Sequence, residues 1–60
     1  MPVLSIEAGQ LSNEQKRELV ITLTREAASI MTVPEQSITV LIKENNKENI
    51  GFAGVWFGDK

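Results

Sequence analysis

Residues 12–44 read SNEQKRELVITLTREAASIMTVPEQSITVLIKE, and two different periodicities meet inside that stretch. Ser12 stands three residues before Gln15, the spacing of a capping box, which predicts a helix from about Asn13. Leu19, Val20, Leu23, Ala27, Ile30 and Met31 then recur on one face of a 3.6-residue repeat, with Glu18, Thr22, Arg25, Glu26 and Ser29 over the rest. Pro34 disfavours a helical Val33, so the helix is expected to stop by about Thr32, after roughly 20 residues and about 30 Å of rod. Over residues 37–44 the period drops to two. Ile38, Val40 and Ile42 share one face and Thr39, Leu41 and Lys43 the other, as in a strand rich in β-branched residues. Leu41 interrupts the polar side, which implies that both faces meet protein, the helix on one and a neighbouring chain on the other.

Upstream, residues 3–7 read V-L-S-I-E and predict a first strand with Leu4 and Ile6 on one face, Ser5 and Glu7 on the other, ended by Gly9 and Gln10. Strand, helix and strand make a βαβ unit, whose strands run parallel and whose crossover is right-handed in nearly all cases. Downstream, residues 45–49 form a polar loop, and I-G-F-A-G-V-W-F over 50–57 alternates small with bulky residues. A short hairpin or strand is expected there, packed on another subunit. The fold class is therefore α+β: a small β-α-β unit with parallel strands and a C-terminal hairpin or short strand, assembled into an oligomer. It is expected to occupy residues 1–60 as one domain, with no internal repeat, linker or low-complexity tract.

Composition points the same way. A 60-residue monomer buries only about 60% of the surface its unfolded chain exposes. The chain has no Cys and no His, so neither a disulfide nor a familiar metal site can staple it, and association with other copies is the remaining remedy. Six Lys and Arg against eight Asp and Glu give a net charge of −2, the wrong sign for a phosphate-binding footprint, so no nucleic-acid partner is expected. The lack of cysteine removes thiol, redox and zinc-thiolate chemistry. Apolar runs fall far short of a membrane span, and the first residues lack the basic and apolar regions of a signal peptide. A cytoplasmic protein with no membrane partner is the expectation.

The same inventory excludes a Ser-His pair and a thiolate nucleophile. What remains is Pro2. Initiator methionine is normally removed before a small residue such as proline, which would leave a secondary amine at the head of the chain. A free α-amino group titrates at about 7.7–8.0, and burial in an apolar pocket lowers that value by disfavouring the charged form. A neutral amine poised near the working pH suits a general base. On composition alone, the alternative is a proline at position two with no chemical role.

Met1-Pro2-Val3, Ser12-x-Glu14-Gln15-Lys16 at the helix start, Pro34 before Ser37-Ile38-Thr39-Val40, and Gly51-x-x-Gly54 together resemble the 4-oxalocrotonate tautomerase family over nearly the whole chain. The resemblance implies a β-α-β subunit in a hexamer built as a trimer of dimers, with no cofactor or metal and with Pro2 as catalytic base. It also implies interconversion of enol and keto forms of small 2-oxo or 2-hydroxydienoate acids, or hydration or dehalogenation of small unsaturated acids on the same scaffold. The family's best-studied members carry an arginine just before the helix-capping serine and another in the second strand. Leu11 and Thr39 occupy those places here, and Ile50 that of an aromatic residue, which resembles a divergent branch.

If the chemistry is retained, another group must stabilise the developing enolate. Lys43 is the candidate on the Thr39 face, about 13 Å along the strand; otherwise it is a solvated strand-end lysine. Lys16 and Arg17 sit in the first helical turn, where the macrodipole disfavours cations, as either a recruited carboxylate site or an exposed helix face. Phe52, Trp56 and Phe57 are either the wall of a pocket around a neighbour's Pro2 or interface anchors, packing being favoured for the last two. Ile21 is an interface residue or an ordinary exposed apolar side chain. The substrate-side candidates are thus Lys43, Ile50 and Phe52. The alternative function is a non-catalytic oligomeric assembly or binding module on the same fold.

Overall fold

In the computed structural model, which describes residues 1–59, the first strand, β1, runs Val3–Ala8 and alternates exposed with half-buried side chains throughout. Leu4, Ile6 and Ala8 take the covered positions and Val3, Ser5 and Glu7 the open ones. The helix, α1, spans Asn13–Met31. Its capping box is fully formed: the Gln15 amide donates to Ser12 Oγ over 3.1 Å, and the Ser12 amide donates to Gln15 Oε1 over 2.9 Å. At the other end Thr32 turns left-handed at φ 57°, and both its N–H and that of Val33 donate to the Ala28 carbonyl. This closure satisfies a terminal carbonyl and stops the helix just ahead of Pro34.

The second strand, β2, covers Thr39–Glu44 and runs parallel to β1, in register from Val3 opposite Thr39 to Ala8 opposite Glu44. It starts later than the period-two pattern predicts. Ser37 belongs instead to a single 3-10 turn over Glu35–Ser37, because its N–H and its hydroxyl both donate to the Pro34 carbonyl, at 3.0 and 2.8 Å. Local side-chain bonding of this kind competes with a ladder.

A second correction concerns the helix stripe. Leu19, Leu23 and Ala27 are half-buried, but Val20 and Met31 are exposed and Ile30 is 82% exposed; Ala28, outside the predicted stripe, is the one buried hydrophobic residue among those described. Two strands spaced about 4.8 Å apart are narrower than a helix of about 10–12 Å, so the apolar face overhangs its own sheet. On the far side of the sheet Leu41 is 55% exposed, opposite Ser5.

After a 3-10 turn over Lys47–Asn49 the expected hairpin or short strand is a hairpin, β3 (Gly51–Phe52) antiparallel to β4 (Val55–Trp56). Ala53 and Gly54 make its two-residue loop with φ of 54° and 79°, the sign that a type I′ turn requires at both positions. The Trp56 indole N–H donates to the Glu48 carbonyl over 2.7 Å. Its ring lies so close to Gly58 that a Cβ there would come within 2.3 Å of an indole carbon.

The chain measures 44 × 23 × 14 Å with a radius of gyration of 14.7 Å, against about 10 Å for a compact domain of this length. Its accessible surface is 4727 Å², where about 3,900 Å² is usual for a monomer of this mass. No helix among the described residues is long and apolar enough to cross a membrane.

Candidate active site

Pro2 enters β1 half-buried, and its carbonyl accepts the Thr39 N–H over 3.0 Å, one residue ahead of the Val3–Thr39 pair. That bond fixes the proline against the start of β2, while Met1, 90% exposed, projects into solvent. Lys43 is exposed on the open sheet face, opposite Glu7 and at the far end of β2 from Thr39. Ile50 is half-buried between the 3-10 turn and the hairpin; its N–H donates to the Lys47 carbonyl over 3.1 Å and its carbonyl accepts the Phe57 N–H over 2.9 Å. Phe52 is 72% exposed on the hairpin.

The polar chemistry concentrates at the opposite end of the sheet, where the sequence offers Lys16 and Arg17 as either a recruited carboxylate site or an exposed helix face. Glu44, the last residue of β2, faces the helix. Its Oε1 lies 2.7 Å from Lys16 Nζ, and its Oε2 accepts the Leu11 N–H over 2.8 Å. The Lys16 contact, reinforced by the Leu11 amide and opposed by partial burial, holds the Glu44 carboxyl below its ordinary range. Nearby, the Gln10 side-chain amide donates to Asn46 Oδ1 over 2.7 Å, and the Asn45 N–H donates to the Ala8 carbonyl over 2.8 Å. Lys16 is thereby tied within its own chain, and Arg17 lies on an exposed helix face. A carboxylate at the end of an apolar strand face, with a lysine in the first helical turn, was the available signal for this cluster.

Two depressions open along α1. One of about 590 Å³ is lined by Leu11, Ser12, Glu14, Gln15, Glu18 and Leu19, and another of about 390 Å³ includes Arg17, Ile21 and Arg25; neither is lined by Pro2, Lys43, Ile50 or Phe52. Among the described residues no group of His, Cys, Asp or Glu is arranged to hold a metal ion.

A proline at the head of a parallel βαβ unit, with an overhanging helix and an exposed hairpin, defines a class of small protomers. The sequence pattern of the Tautomerase enzyme family matches residues 2–60. The fold matches the crystal structure of a 4-oxalocrotonate tautomerase homologue with a TM-score of 0.95 and 33% identity, covering 100% of this chain and 97% of that one. DmpI from Archaeoglobus fulgidus matches with a TM-score of 0.88 and 40% identity over 97% of this chain and 100% of that one. A heterohexamer 4-oxalocrotonate tautomerase from Chloroflexus aurantiacus shares the fold, with a TM-score of 0.83 and 24% identity over 98% of this chain and 95% of that one. A comparison with curated proteins gave no match. The chain belongs to the tautomerase enzyme family, among the relatives of 4-oxalocrotonate tautomerase.

Proposed function

We propose that this chain is a proline-dependent tautomerase of a small 2-oxo or 2-hydroxydienoate acid, working without a cofactor once Met1 has been removed. The observation that carries the proposal is the placement of Pro2, anchored through its carbonyl to the Thr39 amide while Met1 stands in solvent. The freed ring nitrogen accepts the enol O–H proton, the oxygen's electron pair forms the carbonyl, and the displaced π electrons take the proton back from the prolinium at carbon. Nothing is oxidised, and the amine is regenerated neutral.

Assembly supports that chemistry. The excess surface and the exposed Ile30, Leu41 and Phe52 favour a homohexamer, a trimer of dimers, in which other copies complete each pocket. In that arrangement Ile50 and Phe52 form an apolar wall that lowers the basicity of the Pro2 amine. Lys43, unpaired by any ion pair seen among the described residues, supplies charge to the developing enolate. One domain over residues 1–60 and a cytoplasmic location complete the proposal.

A non-catalytic assembly module is the second reading, favoured by the neutral side chains at Leu11 and Thr39 and by the engagement of Lys16 with Glu44. Acetylation separates the two. Blocking the terminal amine of protein that lacks Met1 is expected to abolish ketonisation of enol-phenylpyruvate, followed by ultraviolet absorbance. Turnover that survives the block removes Pro2 from the mechanism, and no turnover before it favours the assembly module.

A further inference from the structure

We infer that the Ser37 carbonyl accepts the N–H that Pro2 gains when Met1 is removed, so that the entry to β2 holds the ring nitrogen from one side and leaves its lone pair to the substrate. The inference rests on the proposal that Pro2 is freed and acts as the base; the acceptor itself follows from strand register within one chain.

Parallel pairing fixes which carbonyls meet which amides. The Thr39 N–H donates to the Pro2 carbonyl over 3.0 Å and, at the other end of the pair, the Asn45 N–H donates to the Ala8 carbonyl over 2.8 Å, so the ladder keeps one phase beyond both ends of the strands. In a parallel pair, a residue that donates to the position before its partner accepts from the position after it. Thr39, partnered with Val3, is therefore the acceptor for the Leu4 N–H. Two residues back along each strand, the corresponding acceptor is the Ser37 carbonyl and the corresponding donor position is Pro2.

The backbone of the preceding turn agrees. Ile38 is extended at φ −98° and ψ 134°, so the amides on either side of it point in opposite directions. The Thr39 N–H points to β1, and the Ile38 N–H points away from it, to the Glu35 carbonyl at 3.1 Å. The Ser37 carbonyl, trans to the Ile38 N–H, thus points to β1. It accepts no hydrogen bond among the described residues, although Ser37 is half-buried and an unmatched carbonyl there costs free energy.

Acylated by Met1, Pro2 cannot fill that place, because its nitrogen bears no hydrogen. Cleavage replaces the acyl group by hydrogen, and rotation about the Pro2 Cα–C bond brings the new N–H to the carbonyl. The lone pair is then the one direction left, facing away from β2. When the nitrogen takes up a proton the bond becomes charge-assisted and stronger, which favours the prolinium and limits how far an apolar surround lowers the basicity. Other charge is sparse on the segments beside it: Glu35, exposed, is the charged side chain of the turn, and the last turn of α1 has no basic residue.

Carbonyl 13C NMR of the assembled, Met1-free protein, labelled at Ser37 and with 15N-proline, tests this. The Ser37 carbonyl is expected to lie downfield of its position in protein that keeps Met1, and to move through the same midpoint as the Pro2 nitrogen. A Ser37 carbonyl that stays flat through that midpoint, or that moves alike in protein that keeps Met1, overturns the inference. Chemical synthesis of the chain from Pro2 extends the test. An ester in place of the Ile38 amide weakens the Ser37 carbonyl as an acceptor and is expected to lower the Pro2 midpoint by about one unit, the scale of the difference between bonds to charged and to neutral groups. An ester in place of the Ser37 amide removes another N–H of the same turn, keeps the Ser37 carbonyl an amide, and is expected to leave the midpoint in place. A midpoint unmoved by the first ester, or lowered equally by both, overturns the inference as well. Failure of the proline base shows elsewhere, as turnover that survives acetylation, and does not alter the response of the Ser37 carbonyl.

Discussion

The Thr39 N–H donates to the Pro2 carbonyl over 3.0 Å, so the parallel ladder is bonded to the residue that carries the proposed base. Immobilising the carbonyl side of a closed pyrrolidine ring leaves its nitrogen few directions to take. Thr39→Pro deletes that donor, and Ile38, extended at φ −98° and ψ 134°, already has the backbone that precedes a proline. Turnover is expected to fall more in Thr39→Pro than in Thr39→Val, which retains the amide. Equal rates in the two variants would show that the bond does not position Pro2.

Acid should loosen the end of the sheet where Glu44 sits. Its folded titration lies below the ordinary value of 4.5, so its contribution to stability is complete above that value and is lost as pH falls through it towards the folded value. The melting temperature of the parent is expected to drop below about pH 4.5 more steeply than that of Glu44→Gln, which has no carboxyl to titrate. High salt should narrow the difference, because both partners are partly exposed. Parallel melting curves in acid would contradict a stabilising contact of Glu44 with Lys16 and the Leu11 amide.

Among the described residues two non-glycines stand in the left-handed region, Thr32 at φ 57° and Ala53 at φ 54°. Each carries a steric cost of about 1–2 kcal/mol, larger for the β-branched threonine, and glycine removes it at an entropic cost of about 0.5–1 kcal/mol. Thr32→Gly is expected to raise stability by about 0.5–1 kcal/mol in denaturant unfolding, and Ala53→Gly by less. Gly54→Ala, at φ 79°, should lower it by about 1 kcal/mol.

Ile30 is 82% exposed on a helix face whose remaining apolar residues exceed the width of the sheet beneath. If copies of the chain cover it, burying a side chain of this size is worth about 1.5–3 kcal/mol, and Ile30→Glu should weaken association at least tenfold. Sedimentation is expected to show a multi-subunit particle for the parent and a lower mass for the variant at equal concentration. The parent's melting temperature should rise with protein concentration. A parent that sediments as a single chain would remove the shared pocket.

Much of the fold was legible because its determinants are local. Ser12 and Gln15 are three residues apart and cap the helix as their spacing predicts, and Pro34 limits the helix as expected. The parallel pairing of β1 and β2 follows from the length of the segment that joins them. What stayed hidden depends on partners distant in sequence or on competition at a single residue. Ser37 fits a strand by period but satisfies both its donors on Pro34. Glu44 reads as the polar end of a strand until Lys16 and Leu11 are folded against it. For the site, the place of Pro2 at the head of β1 was readable, whereas Lys43, Ile50 and Phe52 lie on separate parts of one chain. Spacing along one sequence does not encode which surfaces of separate copies meet.

The central claim is that Pro2 bears a free ring nitrogen, mostly neutral at pH 7 because apolar side chains of adjoining copies surround it. Its most direct test is a titration of the assembled, Met1-free protein labelled with 15N-proline, following the shift of the terminal nitrogen by NMR. The expected midpoint lies clearly below the ordinary α-amino value of about 7.7–8.0. A midpoint at or above that value, or a terminal nitrogen still held in an amide bond to Met1 in protein from its own host, would contradict it.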